Sequence, residues 1–337
     1  MPSFKEIIRE TKVAAAKIAF EHLIRPVRLK EAESASLQHA YELNGSNRWE
    51  EAAQEFYTLF TSSEVTRERA DGLVGLSQIL INLGRLGQAR RFLERGELQL
   101  LALPQRERSY YEARIYEKQG WICDYEGDFT QSASYFTKAR KFVSQQERTE
   151  EDESLFSTTT HFLGRAHIGM AFQGKDSLNN AQRAVEYFQE DLRRYERLRE
   201  EGRPIPAGEA FQHAWLGVCY LSANEVAKAE EEIEMAGGLF REAGGDNFEK
   251  SGGAAHYYNL KGGLALKRWL INEARSEFEK ALKIWQAVGY PKGKADSASG
   301  IAATFWAEGN KSQGSLWFAR SVKMHPYVLL RAKTFLA

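Results

Sequence analysis

One spacing recurs through this chain and limits what it can fold into: a small residue, a second small residue twelve positions on, and a large apolar residue four beyond that. In residues 213–236 the three are Gly217, Ala229 and Ile233, with Tyr220 three residues after the glycine. A glycine inside a helix costs about 1 kcal/mol relative to alanine, so a helix that keeps one needs a compensating contact. Close approach supplies it, because a side chain missing at the crossing lets two helix axes come within about 8–10 Å. The spacing therefore predicts two antiparallel helices packed back to back. It returns as Ala40/Ala52/Phe56, Ser77/Ala89/Leu93, Gly120/Ser132/Phe136, Gly262/Ala274/Phe278 and Ala302/Gly314/Phe318. In a seventh copy Gly164 leads to Ala184 and Phe188; the interval of twenty implies an insertion around residues 173–180.

Strand patterns are almost absent, and apolar residues recur at helical spacing from end to end. The helical pairs resemble the tetratricopeptide repeat, which sets Trp, Leu, Gly, Tyr, Ala, Phe, Ala and Pro at fixed offsets in a helix-turn-helix. Leu216, Gly217, Tyr220, Ala229 and Ala236 carry the resemblance in one copy, and Tyr258, Gly262, Ala274, Phe278 and Ala281 in the next; Pro326 falls at the terminal proline. The second small residues, at 52, 89, 132, 184, 229, 274 and 314, are 37 to 52 positions apart, against the usual 34 or so. The resemblance implies an all-α, right-handed superhelical solenoid of about seven lengthened repeats. In such a stack the first helices line a concave wall and the second helices form the back.

Residues 34–325 are expected to form this solenoid as one domain. Residues 1–33 carry an amphipathic helix with Phe4, Ile7, Ile8, Ala15 and Ile18 on one side, ended by Pro26. Seven Lys/Arg against three Glu in residues 1–30 make it locally basic. It either caps the first repeat or serves as a docking arm. Residues 326–337 are expected to form a last helix against Trp317 and Phe318, since exposed solenoid ends need covering. The segment Arg203-Pro-Ile-Pro-Ala-Gly208 offers a bend between two halves but is short for a domain boundary.

Basic and acidic residues balance at 46 each, so no global field draws nucleic acid or an anionic membrane. Direct nucleic-acid binding is not expected, and membrane contact only through the basic N-terminal helix. There is neither a signal-peptide pattern nor an apolar run of about 18 residues. Two cysteines, Cys123 and Cys219, lie far apart on inward helix faces, which argues for a reducing, cytoplasmic setting.

Chemistry is hard to find. The run Gly169-Met-Ala-Phe-Gln-Gly-Lys-Asp176 approaches a phosphate-binding loop but ends in Asp where Ser or Thr should reach magnesium. His161 and His167 point to different sides of one helix. No catalytic residues, cofactor or metal site are expected. Candidate partner-binding residues follow from their offsets on the first helices: Gln78, Asn82, Arg114, Glu117, Trp121, Asp124, Tyr125, His161, Arg165 and Asn259. Amides pair with a peptide backbone, aromatics cover its apolar side chains and charges set register. Trp121 and Tyr125 have a plainer role as packing between pairs. The lysine and asparagine positions with which chaperone-binding tetratricopeptide domains hold a terminal carboxylate are not reproduced. The chain is thus expected to be a non-enzymatic adaptor holding a peptide or helical segment of a partner protein. The alternative is a sensor resembling the bacterial peptide-pheromone regulators, in which a ligand changes superhelix pitch; residues 1–33 are too short for a helix-turn-helix domain, so a direct transcriptional output is not expected.

Overall fold

A computed structural model of the chain describes residues 36–46, 48–62, 66–144, 150–325 and 328. The expected N-terminal helix lies outside these residues, as does the C-terminal segment except Val328. Among the described residues there are fourteen α-helices, two short 3-10 turns and no strand. The helices are α1 (Leu37–Gly45), α2 (Trp49–Ser62), α3 (Thr66–Asn82), α4 (Leu86–Glu97), α5 (Gln105–Glu126), α6 (Phe129–Ser144) and α7 (Glu150–Phe172). After them come α8 (Ser177–Glu200), α9 (Pro206–Ser222), α10 (Val226–Gly244), α11 (Gly252–Lys267), α12 (Ile271–Val288), α13 (Pro291–Ala307) and α14 (Lys311–Met324). None is long and apolar enough to cross a membrane.

These helices form seven helix-turn-helix pairs, distributed over two compact units that divide between Ala166 and His167. The division does not fall at the Pro-Gly segment after α8. There Pro206 occupies the first position of α9, where a missing N–H costs nothing. A Cβ on Gly208 would lie 2.5 Å from the Tyr195 hydroxyl, so the glycine lets α8 and α9 close on each other.

Within each unit the recurring spacing does what its chemistry demands. A Cβ on Gly120 would lie 2.8 Å from the Phe136 ring, one on Gly217 would lie 2.9 Å from Ile233, and one on Gly262 would lie 2.8 Å from Phe278. The large residue thus lies on the small one of its own pair. Ser132 adds a hydrogen bond at this contact, donating from Oγ to the Gly120 carbonyl at 3.1 Å. The large residue also meets the next pair, two positions before that pair's small residue. Phe136 stacks on Phe162 at 5.1 Å and Phe188 on Trp215 at 6.1 Å, while a Cβ on Gly300 would lie 2.5 Å from Phe278. Phe136 in the first unit and Phe278 in the second thus each tie a pair to itself and to its successor.

In the seventh copy the insertion takes the form mainly of longer helices. Only residues 173–176 lie outside helices. α7 runs eight residues past Gly164 and α8 starts seven before Ala184, whereas the corresponding distances around Gly120 and Ser132 are six and three. The extra residues mostly lengthen the helices, where their backbone groups find intrahelical partners. Side chains hold the added turns: His167 Nδ1 lies 2.7 Å from Asn180 Oδ1, and Asn180 donates to the Lys175 carbonyl at 2.6 Å. At the other end, Val328 is buried in a cluster with Phe318 and Val322, with Trp317 packed against it.

In five of the pairs the inner turn has one residue with positive φ, seven positions after the first small residue. Gly84, Gly127, Asn224 and Gly309 supply it in four pairs, and Trp269 (φ 60°) in the sixth. For a bulky residue this backbone region costs about 1–2 kcal/mol, and the Trp269 side chain, 73 % exposed, gains little packing in return. We expect Trp269→Gly to raise stability by about 1 kcal/mol, seen as a higher urea midpoint with an unchanged slope. Neighbouring glycines of α11 should respond with opposite signs. Gly262→Ala forces a Cβ into the Phe278 ring and should cost about 1–3 kcal/mol. Gly263→Ala meets nothing within 4 Å and should gain about 0.5–1 kcal/mol from helix propensity. The same denaturation experiment reads both.

Candidate functional site

Three first helices of the first unit, α3, α5 and the part of α7 up to Ala166, carry nine of the ten candidate residues. Successive first helices pack side by side, and polar side chains join them at one register. Tyr111 donates to Asp71 at 2.8 Å, Lys118 to Gln78 at 2.7 Å, and Arg165 to Asp124 at 2.6 Å. Counted from the small residue of each pair, the later partner always lies three positions nearer its N-terminus. Neighbouring helices are therefore offset axially by three residues, about 4.5 Å.

Along this ladder the side chains touch in sequence. Gln78 donates to Asn82 at 3.1 Å while accepting from Lys118. Glu117 lies between two cations, with Lys118 Nζ at 2.9 Å and Arg114 Nε at 3.3 Å. The Lys118 ammonium also lies over the Trp121 ring at 5.0 Å from its centroid. Trp121 packs on Phe162 at 4.5 Å, and the Arg165 guanidinium covers Phe162 from 4.4 Å. His161 meets the same ring edge-on at 5.2 Å. On α5 the residues 114, 117, 118 and 121 fall at helical intervals of three and four, which places them on one face.

Exposure divides the candidates into two groups. Gln78, Asn82, Arg114, Trp121, His161 and Arg165 are half-buried and keep surface for a ligand. Glu117, Asp124 and Tyr125 are buried at 3 % or less; Glu117 and Asp124 orient the cations beside them instead of offering a contact surface. Asn259 belongs to the second unit, where it accepts a hydrogen bond from Ser297 at 2.8 Å, and takes no part in this ladder.

Sequence offsets missed Lys118, although one signal marks it. Two positions before the small residue, the five other pairs that follow a described pair carry Gly75, Phe162, Trp215, Leu260 and Gly300, all suited to a packed crossing, while the first pair has an exposed Gln38. Lys118 puts an ammonium at that register with 3 % of its side chain exposed. Burial pushes its pKa down to about 8, against the pull of Glu117. Glu117 is held below the usual carboxylate range by Arg114 and Lys118, although burial pushes the other way. The indole Nε1 of Trp121 is buried without a hydrogen-bond partner.

Reactive groups are not poised here. Burial, reinforced by Glu126, raises the Cys123 thiol to about 11, and burial alone raises Cys219 to about 12, so both stay protonated and weakly nucleophilic. Among the described residues no group of three or more His, Cys, Asp or Glu could hold a metal ion.

No family model matches the chain, and no curated protein is similar to it. Solved structures are similar in fold. The Rap protein complexed with Competence and Sporulation Factor is 15% identical with TM-score 0.58, over 89% of this chain and 78% of that one. NprR in complex with its cognate peptide NprX is 11% identical with TM-score 0.59, over 89% and 81%. The Rap conjugation gene regulator of plasmid pLS20, in complex with the Phr* peptide, is 12% identical with TM-score 0.51, over 98% and 97%. At these identities the likeness is one of architecture: the chain has the tetratricopeptide-like helical-repeat fold of the Rap and NprR proteins.

Proposed function

We propose that the chain is a non-enzymatic interaction module that holds a peptide or helical segment of a partner protein along the faces of α3, α5 and α7. The observation that carries this reading is the ladder itself: amides, aromatics and both charges joined across three successive first helices, with half their members open to solvent. A stability-driven core would put an apolar residue at 118, because burying a charge is unfavourable unless its partners compensate fully. Three proteins of the same fold were solved with bound signalling factors or peptides, which supports a peptide as the ligand class. Two free, buried thiols fit a cytoplasmic setting.

A second reading, a ligand-gated regulator, is favoured by the register. A segment lying across the ladder would touch the side chains that fix how neighbouring pairs are offset, so binding and repeat packing are coupled. Small-angle scattering with and without a selected peptide separates the two. A regulator changes its scattering profile on saturation, while an adaptor keeps it.

Panning a random-sequence peptide display library tests the site. Trp121→Leu combined with His161→Ala keeps apolar volume at the crossing and should reduce recovery of selected peptides about tenfold or more, the loss of one or two interface anchors. Undiminished recovery by this folded variant would reject the α3–α5–α7 face. Lys118 makes a further prediction. Its pKa is lower folded than unfolded, so the unfolded chain binds more protons between about pH 8 and the ordinary lysine value of about 10.4. The cost of its buried charge is complete below that window and is relieved as pH rises through it. The melting temperature of the wild type should therefore gain on that of Lys118→Met from pH 7.5 to 9.5, as calorimetry at both pH values will show.

A further inference from the structure

We propose that the chain associates with a second copy of itself through the outer faces of three second helices of the second unit, α10, α12 and α14. The ladder, which lies on first helices of the first unit, takes no part in this contact.

Charge is the first observation. In a chain whose acids and bases balance, α14 carries Lys311, Arg320 and Lys323 and no Asp or Glu. All three cations are exposed. Arg320 lies over the Trp317 ring at 4.7 Å, and among the described residues none of the three is ion-paired. The outer face of α10 has the opposite sign. Glu231, Glu234 and Glu242 are exposed there, while its cations are engaged within the chain, Lys228 by Glu225 and Arg241 over the rings of Phe248 and Tyr257. Glu234 accepts from Tyr257 at 2.8 Å and Glu242 lies 3.5 Å from Arg199, yet each side chain stays nearly half exposed. Each face also holds one large apolar residue that packing within the chain leaves open: Met235 on α10 is 47 % exposed and Leu316 on α14 46 %.

Spacing turns opposite charges into a fit. Counting back from Gly238, Met235, Glu234 and Glu231 lie three, four and seven residues away; counting forward from Leu316, Ala319, Arg320 and Lys323 lie at the same intervals. Such intervals keep each set on one helix face. Laid antiparallel with Leu316 on Gly238, two copies bring Met235 to Ala319, Glu234 to Arg320 and Glu231 to Lys323. A Cβ on Gly238 would meet nothing within 4 Å, so Leu316 has room to seat there. Second helices of successive pairs run in the same direction, and a two-fold axis through the middle of α12 therefore places α10 on α14 twice over. In that arrangement α12 crosses its own copy. Its exposed Glu279 and Lys283, neither ion-paired among the described residues, exchange partners across the axis. Three stripes about 10 Å wide and about 17 Å long cover roughly 500 Å² per copy, near the lower limit of specific interfaces. The association is accordingly weak and salt-sensitive.

Sedimentation equilibrium of the full chain tests the proposal. The wild type should pass from monomer to dimer as its concentration rises through the micromolar range, and concentrated salt should dissociate the dimer. Arg320→Glu with Lys323→Glu sets acid against acid, and Glu231→Lys with Glu234→Lys sets base against base; each double variant should associate about a hundredfold more weakly. Mixed in equal amounts, the two should form a heterodimer of affinity comparable to the wild type, because both contacts regain opposite charges. That recovery also shows both variants to be folded. Leu316→Ser, at an exposed position, should weaken the dimer about tenfold. A wild type that stays monomeric, a dimer indifferent to either charge reversal or to Leu316→Ser, or folded variants that fail to recover on mixing would overturn the inference. So would a monomer that instead sediments with phosphatidylserine vesicles through Arg320 and Lys323, since the basic face would then belong to a lipid surface.

Discussion

The contact on which the structure depends is a large side chain closing on small residues of two successive first helices. Phe278 shows it most plainly, since a Cβ on either Gly262 or Gly300 would run into its ring. Such a wedge fixes two distances at once, within a pair and between pairs. Interiors packed at crystal-like density have no slack to relax it. The uniform three-residue offset between first helices in the first unit follows: with the wedge in place, neighbouring helices have one way to lie side by side, and polar partners about forty residues apart in sequence meet. The hydrogen bonds of the ladder are thus made available by packing, and each then adds a modest net contribution of its own.

That hierarchy explains what could be read from the sequence. The wedge is a local pattern with a fixed interval, so the helical pairs, their small and large members and their number are visible in residue order. Gly164 to Ala184 broke the interval, which marks an insertion around residues 173–180 without saying whether it forms a loop. The residues went mostly into the ends of α7 and α8, where side-chain contacts such as those of Asn180 with His167 and the Lys175 carbonyl hold the added turns. Pairings between repeats were out of reach. That Arg165 meets Asp124, or Lys118 meets Gln78, depends on an axial offset that emerges only when whole helices pack. Offsets along one helix placed Trp121 and Tyr125 together on α5, yet could not distinguish Trp121, half-open, from Tyr125, buried one helical turn further on.

Two residues stand out once the copies are aligned on their small residues. Lys118 and Trp269 each occupy a position whose chemistry the other pairs make plain: a packed crossing in one case, a left-handed turn in the other. Both departures were detectable without coordinates, since they need only comparison among the chain's own repeats. Position in the fold separates their meaning. Trp269 stands on a turn with its ring in solvent, and its backbone strain is a local matter. Lys118 lies within a connected network, so its charge is felt by Glu117, Arg114 and the ring of Trp121 together.

A repeat array offers few ways to build a binding site without losing its register. Residues that wedge the helices are constrained by packing, and second-helix polar residues such as Arg90 and Arg275 are engaged by side chains of the next pair. What remains is the strip of first-helix positions beside each small residue, where Gln78, Trp121 and Arg165 all stand one residue after it. Side chains there reach a ligand while their neighbours hold the stack. Placing buried charges behind that strip, as Glu117 and Asp124 are placed, orients the exposed cations without obstructing the face. On the proposed reading the first unit joins rigidity and recognition on the same three helices, and in such an arrangement a bound segment would act on repeat packing as well as on the surface.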